Sequence, residues 1–278
     1  MQLAVNYSPQ AAELLAAGRI QFDLFKCPDW PDMIETAQAL RPAYVHFPLM
    51  AGRANIEKVG WQQIARLLAV TPTPFVNTHL APRASDFDMP LDTTEPAHTR
   101  ALVSAMLLDI RRMARRFGRE RVILENANWD PNYEIPRPVL ETDIIRQVVY
   151  ESGCGLLLDI AHARMAAAYL GIEPRAYIAQ FPVDRLAELH IAGTLYDSAQ
   201  ARLVDHYPMS ETDWALAEWA FERIHRGEWK RPQIVALEYG GTGPGFAWRS
   251  KADVLAADVP RLAALVNSQD FFRSTTSR

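Results

Sequence analysis

The chain has 278 residues, with 29 Lys and Arg against 33 Asp and Glu, a formal net charge of −4. Hydrophobic residues make up 49% and charged ones 22%, a balance that excludes a disordered or fibrous chain. Mild acidity argues against a bulk electrostatic grip on nucleic acid or an anionic membrane. Two cysteines, Cys27 and Cys154, cannot build a disulfide framework, so a reducing compartment is expected. The opening MQLAVNYSPQ lacks the basic-then-apolar order of a secretory signal. The most apolar stretch, GLLLDIAHARMAAAYLG, is broken by Asp159, His162 and Arg164 and is no membrane span. A soluble cytoplasmic protein is expected.

In chain order, LAVNY (3–7) is the first strand candidate, followed by a helix in PQAAELLAAG with Pro9 in its first turn and Gly18 at its end. QFDLFKC (21–27) and the helix PDMIETAQAL come next, then AYVHFPL (43–49) and WQQIARLLAV. FVNTHLA (75–81) leads into the long helix HTRALVSAMLLDIRRMARRFG, and RVILENA (121–127) into ETDIIRQVVYES. The last strand candidates are GLLLDIAHA (155–163), LAELHIAG (186–193) and QIVALEYGG (233–241). ETDWALAEWAFERIHRG precedes the last of these, and KADVLAADVPRLAALV, interrupted by Pro260, follows it. The helices repeat apolar residues at spacings of three and four. Strand candidates alternating with helices in this way are the pattern of a closed parallel (β/α)8 barrel of roughly 250 residues, an α/β fold. A doubly wound open sheet would carry fewer strands at this length. No linker or composition shift divides the chain. The expectation is one barrel over 1–267 and a loosely ordered tail over 268–278.

Active sites of such barrels lie at the carboxyl ends of the strands, where polar residues collect here. His46 and His79 end the third and fourth strands, Glu125 the fifth, Asp159 the sixth with His162 just after it, His190 the seventh and Glu238 the eighth. The loop after the seventh strand adds Asp205 and His206, while His98 and His225 fall on helices. Gathering so many ionisable groups is costly unless cations compensate them. They are too many for one four- to six-coordinate ion, so two or three divalent transition metals are expected. The histidine and carboxylate mixture suits iron, zinc or manganese alike. In Asp159-x-x-His162, one residue ends a strand and the other lies on the first turn after it, so both reach a shared centre.

This order of ligand types resembles the xylose-isomerase-like TIM-barrel superfamily, which includes endonuclease IV. The resemblance implies His46, His79, Glu125, Asp159, His162, His190, Asp205, His206 and Glu238 as metal ligands. The wording ILENA around Glu125, LLLDIAHAR around Asp159 and ELHIAG around His190 is closest to the multinuclear non-haem iron oxidases of the methanobactin-biosynthesis type. The stretches LVDHYP to DWALAEWAF and IVALEYGG look like that group too. These families place one residue between the aspartate and histidine after strand seven. Here Asp205 and His206 are adjacent, so whether both are ligands stays open. The oxidase group often has Asn where His162 stands.

The resemblance implies an enzyme that uses iron and dioxygen on a cysteine in a peptide, often delivered by a partner protein; the substrate expected here is a peptide or a small molecule. The alternative is a sugar or sugar-phosphate isomerase or epimerase, with Glu125 and Glu238 as acid and base on opposite sides of an enediolate. Phosphodiester hydrolysis and metal binding without catalysis are further readings. Asn6 and Lys26 close the first two strands and are candidate substrate contacts. Arg83 and Arg164 follow ligand strands and are candidates to bind an anionic substrate. Asn126 and Asn128 are placed to support the ligands. The run RRMARRFGRER (111–121) reads as a solvated helix terminus, where cations complement the dipole. The loop EYGGTGPG (238–245) reads as a lid or tight turn, or as a backbone cradle for a phosphate or carboxylate. Trp214 and Trp219 read as packing residues and Cys27 as structural.

Overall fold

The computed structural model describes residues 1–268. The elements run β1 (Gln2–Asn6), α1 (Pro9–Ala16), β2 (Leu24–Cys27), α2 (Pro31–Gln38), β3 (Ala43–Val45), β4 (Met50–Ala51), α3 (Ile56–Val59), α4 (Trp61–Val70) and β5 (Val76–Leu80). Then come α5 (Pro96–Phe117), β6 (Val122–Glu125), α6 (Thr142–Ser152), β7 (Gly155–Asp159), α7 (Ile160–Leu170) and α8 (Pro174–Ile178). The chain continues through β8 (Leu186–Ile191), β9 (Gly193–Asp197), β10 (Arg202–Tyr207), α9 (Glu211–His225), β11 (Ile234–Leu237) and α10 (Ala252–Asn267). Each strand segment expected from the sequence contains a strand, and the expected α/β alternation is present.

The described residues fall into two compact units, one built from 1–44 and 186–268, the other from 45–185. In the first, β1 lies between β2 and β11, and β11 pairs on with β8, all parallel. In the second, β6 lies between β5 and β7, with β4 outside β5, again parallel. Parallel strands covered on both faces bury nearly every side chain, and β2, β6, β8 and β11 are buried along their whole length. Ala4, Leu24, Tyr44, Ile234 and Ala236 form one core cluster of the first unit. Leu102, Met106, Ile110 and Met113 of α5, four and three residues apart, bury one stripe of that helix in the second.

Three expectations need correction. The strand expected over 155–163 ends at Asp159, because that carboxylate caps α7 and the alanine-rich run beyond it is helical. Pro260 does not interrupt α10: Leu255, Val259, Leu262 and Val266 bury one face of a helix that runs through it. The segment after β8 is no loop but an antiparallel hairpin, β9 with β10. The tail beyond Ser268 lies outside the described residues.

Asp258 of α10 has its carboxyl pushed up to about 6 by burial, while Met209 N–H and Arg261 act the other way. The folded chain therefore holds this proton more tightly than the unfolded chain. The stabilisation is complete below the unfolded value of 3.8 and is lost as pH rises through about 6. Asp258→Asn is expected to raise the melting temperature at neutral pH by a few degrees. Below the usual carboxylate range it should change little. A gain independent of pH would refute the assignment.

Candidate metal centre

In the second unit, β6 ends on Glu125 and β7 on Asp159. Asp159 is the N-cap of α7, its Oδ1 accepting the backbone N–H of His162 at 2.7 Å. The cap and the third helical residue project to the same side, which is the physical content of the Asp-x-x-His spacing. Asn126 grips the same corner: Asp159 N–H donates to its Oδ1 at 2.9 Å, and its Nδ2 donates to Asp159 C=O at 3.0 Å. Glu125 is only 1% exposed, and imidazoles crowd it. Its Oε2 lies 3.1 Å from His79 Nε2 and 3.4 Å from His46 Nε2, and its Oε1 3.6 Å from His162 Nδ1. One ligand atom each from His79, Glu125 and His162 falls within 4.8 Å of the others.

The first unit holds the remaining candidates. On β8, Glu188 and His190 stand two residues apart and so share a face. His190 Nε2 lies 2.8 Å from Glu188 Oε1, which also accepts the Tyr44 hydroxyl at 2.7 Å. The other ring nitrogen, Nδ1, lies 3.1 Å from Glu238 Oε1 just beyond β11. Lys26 ion-pairs with that same Glu238 oxygen, both side chains being buried. The sequence marked Lys26 for substrate; its ammonium is engaged with a candidate ligand. On β10 a bulge shifts the pairing register between Val204 and Tyr207, and His206 takes a left-handed φ of 60°. Neighbours on a regular strand point to opposite faces. The bulge relaxes that rule, and His206 Nε2 sits 3.9 Å from Asp205 Oδ2.

A shared design runs through these histidines. His79 Nδ1 faces Leu49 C=O at 3.3 Å, His162 Nδ1 faces Asn126 C=O at 3.0 Å, and His206 Nδ1 faces Glu238 C=O at 2.9 Å. A carbonyl only accepts, so a proton on each Nδ1 would satisfy that contact and leave the Nε2 lone pair to a cation shared with the carboxylate. Those Nε2 atoms face carboxylate oxygens of Glu125, Asp159 and Asp205 respectively. His190 is the mirror case, with Glu188 taking the Nε2 proton and Nδ1 turned to Glu238. Lone pairs and carboxylates presented together, with the far ring nitrogen anchored, are what a transition metal requires of its surroundings. The residues fit such an ion. His46 differs: Asn77, whose Oδ1 is fixed by Phe47 N–H, turns its Nδ2 to His46 Nε2 at 3.1 Å.

Other candidates are placed differently. Arg83 is 46% exposed and ion-pairs with Glu134 at 3.5 Å, while Arg164 is half-buried on α7. Asn6, half-buried, ends β1 opposite Lys26. His98 bonds Thr93 Oγ1 and His225 bonds Leu265 C=O. Trp214 is buried under Arg261, and Trp219 packs edge-on against Trp229. Burial pushes the Cys27 thiol up to about 12, which leaves it inert as a nucleophile. In the basic run, Arg112 pairs with Glu57 and Arg121 bonds the carbonyls of Thr73 and Pro74. Sequence reasoning missed Asn77, Tyr44 and Glu188.

Residues 34–232 match the family model described as RiPP precursor modification enzyme MbnB/TglH/ChrH. The chain belongs to that family. A UPF0276 protein of Caulobacter sp. (strain K31) is 31% identical over 169 residues, covering 59% of this chain and 55% of the relative. Another, from Rhizorhabdus wittichii, is 30% identical over 203 residues, covering 69% of each. The chain thus spans between about half and two thirds of these relatives. Among solved structures, a D-psicose 3-epimerase crystallised in the presence of D-fructose aligns with a TM-score of 0.57 at 12% identity, covering 95% of this chain and 97% of that one. An AP endonuclease, family 2, from Brucella melitensis aligns at 0.55 and 14% identity, covering 93% and 98%. At such identities the likeness establishes the fold, that of the xylose-isomerase-like TIM barrels. The family is one of enzymes. Among the described residues no helix is long and apolar enough to cross a membrane.

Proposed function

We propose that the chain is a multinuclear non-haem iron oxidase acting on a peptide. The observation that carries the metal reading is the shared orientation of His79, His162 and His206, with Nδ1 on a backbone carbonyl and Nε2 turned to a carboxylate oxygen. The family match supports a peptide as the substrate, and delivery by a partner protein is part of the same proposal. The free buried thiols Cys27 and Cys154 support a cytoplasmic setting.

His79, Glu125 and His162 would hold metal in one unit, with Asp159 beside them; His190, Glu238, Asp205 and His206 would do so in the other. Bound iron supplies one-electron exchange with dioxygen, which no side chain here provides. Glu188 holds the His190 proton at Nε2 and so keeps Nδ1 available. Lys26 holds its ammonium against Glu238 and offsets part of that carboxylate's buried charge. Asn126 fixes the helix corner from which Asp159 and His162 project.

The test compares iron-loaded and zinc-loaded protein with peptide substrate in an oxygen electrode. The iron form should consume dioxygen only when substrate is present and change its absorption on reduction, and the zinc form should be inactive. Anaerobic turnover by the zinc form, with proton exchange at a sugar carbon that Glu125→Gln or Glu238→Gln abolishes, would replace this reading with an isomerase or epimerase.

A further inference from the structure

The glycine-rich loop after β11 carries a residue that the metal reading leaves unused. Gly241 has no room for a side chain: a Cβ there would lie 2.7 Å from Phe246 Cβ. The Phe246 side chain occupies that space. The buried Ser250 hydroxyl faces the carbonyls of Gly241 at 3.2 Å and Phe246 at 2.9 Å, and Trp248 Nε1 donates to Gly245 C=O at 3.0 Å. The loop is therefore closed by its own hydrogen bonds. On it sits Arg249, with its guanidinium 4.7 Å from the Phe246 ring centroid and 6.0 Å from that of Trp248. Tyr207, next in sequence to His206, packs on Trp248 at 4.9 Å.

Arg249 takes no part in stapling the loop. Among the described residues its Nε is buried without a hydrogen-bond partner, and no carboxylate lies within ion-pair distance of it. Arg112, Arg137, Arg226 and Arg261 each meet a glutamate, while Arg41 and Arg223, like Arg249, keep a buried Nε without a hydrogen-bond partner among the described residues. Burial works against the charge of Arg249, and Asp205 is the group whose field partly restores it. A half-buried guanidinium, rigidly stacked and lacking an acceptor, is organised for a planar anion with two oxygens. A cation on the Asp205–His206 pair would engage the one carboxylate that now offsets Arg249.

We propose that Arg249 binds a carboxylate of the peptide substrate, its guanidinium held by Phe246 and Trp248 beside the Asp205–His206 pair. The proposal rests on the peptide-oxidase reading for the identity of the ligand. That carboxylate belongs either to the chain terminus or to an Asp or Glu side chain, and recognition is the same chemistry in both.

The test follows the Arg249 Nε–H resonance of zinc-loaded full-length protein by NMR, assigned by its loss in Arg249→Lys. Three probes are titrated: acetyl-Ala-Ala-Ala as free acid, the same peptide as C-terminal amide, and acetyl-Ala-Glu-Ala amide. At least one carboxylate-bearing probe should shift the resonance with a midpoint of roughly 10 mM, the strength of one charge-assisted bidentate contact. The neutral amide should leave it in place. A response to the free acid alone assigns the terminus, and a response to the Glu peptide alone assigns a side chain. Gly241→Ala keeps the charge but displaces Phe246, and should weaken the shift severalfold. Equal shifts by the neutral amide, or no shift by any probe, would overturn the proposal. No turnover is involved, so failure of the oxidase reading and failure of this site are told apart.

Discussion

Glu125→Ala protein is expected to hold at least one equivalent of transition metal less than the unchanged chain, which should itself hold two or more after iron-replete expression. The argument is electrostatic. Glu125 is 1% exposed, and its two oxygens face His79, His46 and His162 at 3.1, 3.4 and 3.6 Å. Removing the carboxylate deletes the anion around which these imidazoles gather, and imidazoles alone bind a divalent ion far less well in a buried setting. His98→Ala and His225→Ala remove histidines whose hydrogen bonds go to Thr93 and Leu265, and should leave the metal content unchanged. Elemental analysis with circular dichroism as a folding control reads the result. Equal losses in both groups, or less than one equivalent in the unchanged chain, would sink the assignment.

Much of this was legible because the physics is local. A strand buried on both faces reads as an unbroken apolar run, and β7 and β11 show it in LLL and IVAL. An aspartate at the end of such a run, before alanines, is a helix cap, so Asp159-x-x-His162 announces its own geometry. Glu188 was also within reach, since it stands two residues before His190 and shares its face. Asn77 was not, because its contacts with His46 and Phe47 cross 30 or more residues of sequence. The hairpin escaped for a different reason. Its bulge depends on His206 adopting φ 60°, and with no Gly or Asn there the left-handed backbone has only a histidine's weak preference to announce it. Adjacent Asp205 and His206 therefore look incompatible as joint ligands in the sequence, while the bulge brings their donor atoms to 3.9 Å. Arg249 was overlooked because the glycines before it drew the reading to backbone N–H groups, whereas Gly241 serves to admit the Phe246 ring.

Gly193→Ala is expected to dismantle that hairpin and with it the Asp205–His206 pair. Gly193 opens β9 directly opposite Tyr207, the residue that ends β10. A Cβ at this position would lie 2.1 Å from Pro208 O and 2.4 Å from Tyr207 O. These are backbone atoms, so no rotamer change relieves the collision; the end of β10 must move. His206 lies one residue from the point of collision and already holds a left-handed conformation, so the displacement falls on the bulge first. Overpacking of this kind costs about 1–3 kcal/mol, which lowers the melting temperature by several degrees in a chain of this size. Gly171→Ala is the comparison: its φ of 70° strains any side chain, but nothing lies within 4 Å of the new methyl. Hydrogen exchange should show lost protection in 193–207 for Gly193→Ala alone. Metal analysis should show part of the content gone while the fraction that Glu125→Ala removes remains. Unchanged exchange and full metal content in Gly193→Ala would mean that the pair does not depend on this hairpin and is no ligand pair positioned by it.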